Sequence, residues 1–98
     1  MGRKDIPTLM CVIRGHALVE VHLRMKQKVI DTLAMPAEGH LDEVLIPLLD
    51  GFFKHHRIDP RVLGRVTIQA GPIDRNSSAY RIVHTWAAAL KAAQNQHK

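Results

Sequence analysis

The chain has 98 residues, 46% of them hydrophobic, and a formal net charge of +5 at pH 7 with histidine neutral. That length suits one small domain and leaves little room for both a core and a closed catalytic cleft. No apolar run approaches the ~18 residues that a membrane span needs, and the start of the chain lacks the apolar segment of a secretory signal. Cys11 is the only cysteine, which excludes an intramolecular disulfide. We therefore expect a single cytoplasmic domain with no membrane contact.

The first part of the chain has the periodicity of three β-strands. A continuous apolar run from Leu9 to Ile13 is typical of a strand covered on both faces. From Ala17 to Met25 apolar and polar residues alternate, which is typical of a strand with one solvent-facing side. A third strand is predicted from Lys28 to Met35, and the short connections between the three predict an antiparallel meander.

The second part alternates between helical and extended patterns. Apolar residues from Leu41 to Phe53 follow helical spacing, and Pro47 predicts either a bend or a helix start close before it. Val66 to Ala70 alternates again and predicts a fourth strand. A second helix follows, for which Ser77 or Ser78 can provide the N-terminal cap.

The predicted element order is therefore βββαβα, in one domain that spans residues 1–98, with residues 1–7 and 94–98 expected to fray. A strand, a helical crossover and a further strand place the fourth strand parallel to a neighbour through a right-handed connection. The polar sides of the second and fourth strands predict that both helices lie mainly on one face. The expected fold class is α/β, of the α+β kind, with a mixed four-stranded sheet.

Leu-Ile-Pro at 45–47 lies inside the first predicted helix, and Gly-Pro at 71–72 follows the fourth strand. With the element order, these segments resemble the N-terminal lobe of the TsaB (YeaZ) family, the glycoprotease-like branch of the actin-like ATPase superfamily. Further matching positions are His40, Glu43, Arg81, Ile82, Ala87 and Leu90. The resemblance implies a ribonuclease-H-like lobe and a link to the threonylcarbamoyladenosine modification of tRNA. TsaB-like proteins serve there as scaffolds that bind a catalytic partner, TsaD, through helices of this lobe.

Several departures from that family concern ligand binding. Where the family has Asp-Thr after its first strand, this chain has Ile13 and Arg14, and Ile73 replaces the second glycine of the family's glycine-rich loop. Isoleucine cannot position a metal or a phosphate, and the loop loses residues that allow close backbone approach. Nucleotides in this superfamily bind between two lobes, and the resemblance implies only the first of them here. We therefore expect no cofactor, and a module that retains the partner-binding surface alone.

The residues that could carry catalysis or bind a metal have simpler explanations. His55 and His56 are adjacent, so on a helix their side chains diverge by about 100° and cannot readily chelate one ion. The serine pair at 77–78 with His84 lacks the G-x-S-x-G turn that exposes a nucleophilic serine. Cys11 lies within an apolar strand, where we expect a buried thiol with a raised pKa. We predict no enzymatic activity.

The two predicted helices carry the strongest functional signal. Their apolar stripes are wider than contact with one sheet requires, which favours contact with a partner. The alternative is that the helices cover only each other and the sheet. The predicted interface residues are Ile46, Leu49, Phe53, Val83, Trp86 and Leu90. We expect a homodimer, or a heterodimer with a TsaD-like protein.

A second hypothesis, an RNA- or DNA-associated domain, rests on the positive charge. Basic residues concentrate after the first predicted helix, at Lys54, Arg57, Arg61 and Arg65, where they could contact phosphates. However, nine acidic residues are interleaved with the fourteen Lys and Arg, and no aromatic residue lies within a basic run. The favoured interpretation of these charges is a solvated surface.

Overall fold

The chain begins with three consecutive strands, β1 (Thr8–Arg14), β2 (Leu18–Met25) and β3 (Lys28–Pro36). Helix α1 (Leu41–His55), strand β4 (Val66–Ala70) and helix α2 (Ser78–Gln96) follow. The structure, a computed structural model, describes residues 6–15, 18–37, 39–71 and 74–96.

The four strands form one mixed sheet in the order β3-β2-β1-β4. The pairs β1–β2 and β2–β3 are antiparallel, and β4 is parallel to β1. The predicted order βββαβα, the α+β class and the mixed four-stranded sheet are therefore confirmed. The β2–β3 hairpin turns at Lys26 and Gln27, whose φ angles of 54° and 68° belong to the tight two-residue turns that follow the twist of a hairpin.

Both helices pack on one face of the sheet, where the core lies. Alternate residues of β1 and β2 supply the sheet side of that core, and α1 and α2 supply the other side. The buried apolar residues are Leu9, Cys11, Ile13, Val19, Val21, Leu23, Met35, Leu41, Leu45, Leu49, Phe52, Phe53, Leu63, Ala79, Val83 and Leu90. On the opposite face Val12 is also buried, between Glu20 of β2 and Gln69 of β4 in the strand register.

Helix α1 runs through Pro47 without interruption and begins at Leu41, rather than close before the proline. Because proline has no N–H, the carbonyl of Glu43 lacks its usual helical donor. Helix α2 begins as expected with a serine cap, since the hydroxyl of Ser77 accepts a hydrogen bond of 3.1 Å from the backbone N–H of Tyr80.

Residues near both ends of the described chain form hydrogen bonds, although these ends were expected to fray. The carbonyl of Pro7 accepts a 2.9 Å hydrogen bond from the N–H of Gly64. Helix α2 extends to Gln96, and the side-chain amide of Gln94 donates to the carbonyls of Pro60 and Leu63 at 3.1 and 3.3 Å. The rest of that prediction, for residues 1–5 and 97–98, lies outside the described residues.

No helix in the described part of the chain has the length and apolar character required to cross a bilayer.

Candidate interaction surfaces

The structure divides the six predicted interface residues into two groups. Four of them belong to the core and contact their own chain: Leu49, Phe53, Val83 and Leu90. The wide apolar stripe of α1 arises because this helix packs against both the sheet and α2. These four side chains are buried within their own chain and offer little surface to a partner. Of the remaining two, Ile46 is 53% exposed and Trp86 is half-buried, its ring stacked on Phe53 at a centroid distance of 6.5 Å.

An apolar depression of about 430 Å³, the helix groove, lies between α1 and α2. Its apolar lining residues are Leu45, Ile46, Ile82, Trp86 and Ala89, and its polar ones are Asp42, Arg81 and Thr85. The exposed part of the predicted interface is concentrated here, because Ile46 and Trp86 both line it.

A larger depression of about 780 Å³, the β4 groove, lies on the other flank of α2, beside strand β4. Its lining residues are Gly64, Arg65, Val66, Ile68, Tyr80, His84, Ala87, Ala88, Lys91 and Gln94. The periodicity of α2 did not predict this groove. The groove results from the pairing of β4 with β1, which places α2 next to the last strand of the sheet.

The four predicted nucleic-acid residues are all exposed, but two of them are paired with carboxylates of the same chain. Lys54 lies 3.0 Å from Asp50, and Arg61 lies 2.9 Å from Asp59. The hydrogen bond from Arg61 to Asp59 raises the pKa of the guanidinium. These two cations are therefore partly neutralised before any phosphate approaches.

Arg65 has a different setting. It borders the β4 groove and also a depression of about 490 Å³ near the β2–β3 turn, the turn groove, with Arg24 and Lys26. The other described residues of the turn groove are Ile6, Thr8, Leu9, Met10, Gln27 and Thr67, and none of these is a carboxylate.

Two carboxylates pair with histidines that the sequence pattern leaves isolated. His56 lies 2.7 Å from Asp31, 25 residues earlier in the chain. This hydrogen bond, with a second from the N–H of Thr32, holds the pKa of Asp31 below its usual value. On the open face of the sheet Glu20 pairs with Arg14 at 2.9 Å and His22 at 3.1 Å, and its pKa is lowered mainly by the hydrogen bond from Arg14.

The candidate nucleophiles occupy structural positions. Cys11 is buried, and desolvation raises the pKa of its thiol to about 12, as the apolar strand predicted. Ser77 caps α2, and the ring of His84 lies 5.7 Å from that of Tyr80. Among the described residues no group of three or more His, Cys, Asp or Glu could hold a metal ion.

The structure describes two of the positions at which this chain differs from the TsaB family. Ile13, where the TsaB family has Asp, is buried in the core, and the adjacent Arg14 is exposed and pairs with Glu20. Pro72 and Ile73 of the loop after β4 lie outside the described residues.

No protein-family model, curated protein or solved structure matches the chain. The resemblance to the TsaB lobe stays a prediction, and functional inference depends on the surfaces described above.

Proposed function

We propose that this protein is a non-catalytic interaction module that self-associates through the helix groove. The observation that carries the proposal is the exposure of Ile46, at 53%, beside Ile82 and Trp86 in an apolar groove between two helices. Apolar side chains that line an exposed groove lose contact with water when a partner packs on them, and this favours association. Ala89 presents only a methyl group, which allows a second helix to approach closely.

Charge on the same groove favours a second copy as the occupant. Its described lining residues include a single acid, Asp42 on α1, and a single base, Arg81 on α2. Neither makes an ion pair with another residue in the described ranges. In a twofold dimer the same patch meets itself, so Asp42 of each copy can face Arg81 of the other. A surface of this composition is complementary to itself.

The first experiment compares two substitutions on one helix. Ile46→Glu places a charge in the groove, whereas Leu48→Glu places the same charge at a 39% exposed apolar position of α1 that does not line it. We expect Ile46→Glu to weaken dimerisation at least about tenfold, as burial of an unpaired charge at an interface should, and Leu48→Glu to retain the wild-type affinity. Sedimentation velocity over a concentration series measures both. A monomeric wild-type chain, or equal losses in the two variants, would refute self-association through this groove.

The second experiment tests the pairing of charges. Asp42→Arg and Arg81→Asp should each weaken the homodimer by placing like charges opposite one another. A mixture of the two single variants, or one chain with both changes, should regain the affinity. The failure of either combination to recover would show that the two residues do not face each other.

The resemblance to the TsaB family supports a different occupant of the same surface. A TsaD-like protein bound to these helices would connect the chain to tRNA modification. In that case the wild-type chain remains monomeric alone, and Ile46→Glu abolishes complex formation with the purified TsaD-like protein.

The turn groove supports nucleic-acid binding as a second candidate function. It brings Arg65 together with Arg24 and Lys26 from the β2–β3 hairpin, and none of its lining residues in the described ranges is a carboxylate. Phosphate contacts at this site predict tRNA affinity that falls steeply as salt concentration rises. Arg65→Glu should remove it, while the matched change Arg61→Glu, in a residue already paired with Asp59, should have a smaller effect. Filter binding at two salt concentrations measures the difference.

A further inference from the structure

Strand β4 is an edge strand with backbone groups directed away from the sheet. In the parallel register Leu9 lies opposite Val66, and the N–H of Leu9 donates to the carbonyl of Arg65 at 2.9 Å. Continuation of this ladder uses the N–H and C=O groups of Thr67 and Gln69. The N–H and C=O groups of the alternate residues, Val66, Ile68 and Ala70, therefore point outward. In the described part of the chain no strand pairs with this edge.

The opposite edge, β3, is protected against such pairing. Its ladder with β2 has an irregularity between Leu23 and Arg24, and its sequence includes Lys28, Asp31 and Pro36. The carboxylate of Asp31 also accepts a hydrogen bond of 2.8 Å from the backbone N–H of Thr32, so this backbone donor is already used within β3. A bulge, charged residues and proline are the features by which edge strands avoid the addition of another strand. Strand β4, Val-Thr-Ile-Gln-Ala, has none of them.

The groove beside this edge has the chemistry to select an acidic segment. Ala87 and Ala88 leave space along α2, while Arg65, His84 and Lys91 contribute the basic side chains of the lining. Of the described residues that line the groove, none is a carboxylate. An extended chain added to β4 would bond the outward backbone groups and place every second side chain against this flank of α2.

We propose that β4 binds an extended acidic segment of a partner protein, which adds to the sheet as a fifth strand. This site lies on the flank of α2 opposite the helix groove and is independent of the self-association proposed there. Charge argues against a second copy as the occupant. A second copy would present the same flank of α2, where Arg65 and Lys91 line the groove and no described lining residue is a carboxylate, so it would supply no opposite charge.

A synthetic peptide serves as the probe. Threonine occupies every second position of the peptide, and the positions between alternate valine with glutamate. One side of the extended peptide therefore carries both apolar and acidic groups. Two matched peptides test the two parts of the proposal. In one, lysine replaces glutamate; in the other, alternate backbone nitrogens are methylated, which removes strand pairing and leaves the charges unchanged. Fluorescence anisotropy of the labelled peptides with the full chain measures binding.

Of the three peptides, we expect only the acidic one to bind saturably, with an affinity that decreases as the salt concentration rises. Lys91→Glu should weaken it at least about tenfold, and the control Lys28→Glu, an exposed charge reversal on β3, should leave it within twofold to threefold of wild type. Equal binding of the lysine peptide or the methylated peptide would overturn the proposal, as would the same affinity in both variants. The peptides leave the protein unaltered, so the test does not depend on the folding of a variant. Ile46→Glu should bind the acidic peptide normally, which separates this proposal from the one on the helix groove.

Discussion

Replacement of Gln94 by alanine tests the contact between helix α2 and the loop before β4. The amide of Gln94 donates to the carbonyls of Pro60 and Leu63, in the loop that leads into β4. The variant removes both hydrogen bonds and retains a residue with high helix propensity. We expect a less stable protein in which this loop opens more readily.

The magnitude follows from what remains after the substitution. The carbonyl of Pro60 keeps a bond of 3.3 Å from the N–H of Leu63, whereas the carbonyl of Leu63 loses the bond from Gln94. A net value of about 0.5–1.5 kcal/mol for each lost bond, with partial compensation at Pro60, gives a loss of about 1–2 kcal/mol in the free energy of unfolding. In a chain of this size each kcal/mol lowers the melting temperature by roughly 4–8 °C.

Urea denaturation followed by circular dichroism measures the change in stability, and amide hydrogen exchange of residues 61–64 measures the opening of the loop. The matched control is Asn95→Ala, the next residue along the helix and exposed. This control should be neutral or slightly stabilising, because alanine has the higher helix propensity. If Gln94→Ala matched the control in both measurements, the side chain would not hold the loop, and the reasoning would be refuted.

Three further predictions concern single residues. Gly51→Ala should stabilise α1 by about 0.5–1 kcal/mol in the same urea assay, since Gly51 is helical and an added Cβ meets no atom within 4 Å; a loss of stability would contradict this. The pKa of Asp31 is lowered from 3.8 on folding, so its pairing with His56 stabilises the folded protein above that pH, and this stabilisation is lost as the pH falls through the folded-state pKa. Asp31→Asn should therefore lower the free energy of unfolding near neutral pH and weaken the dependence of that free energy on acid pH. An unchanged acid profile of stability would exclude this contribution. Cys11 should react with a thiol reagent only as fast as the chain unfolds, because burial raises its pKa to about 12, and reaction of the folded chain at the rate of a free thiol would show that it is accessible.

The sequence alone determined the element order and much of the architecture. The continuous apolar run at 9–13, the alternation at 17–25 and 66–70 and the helical spacing from Leu41 are local properties, and the short connections leave few ways to join such elements. The burial of Cys11 and the cap at Ser77 were predictable for the same reason, because each depends on the residues immediately around it.

Only the tertiary structure decided which apolar and charged residues remain available to a partner. Leu49 and Ile46 belong to the same apolar stripe, yet the packing of α1 against α2 buries one and exposes the other. The pairing of Asp31 with His56 joins residues that are 25 positions apart, and no local periodicity encodes their distance. The edge at β4 likewise exists because the last strand pairs with β1, which leaves its other side open in the described part of the chain. Periodicity specifies which face of an element is apolar; the mutual packing of the elements specifies how much of that face stays in contact with water.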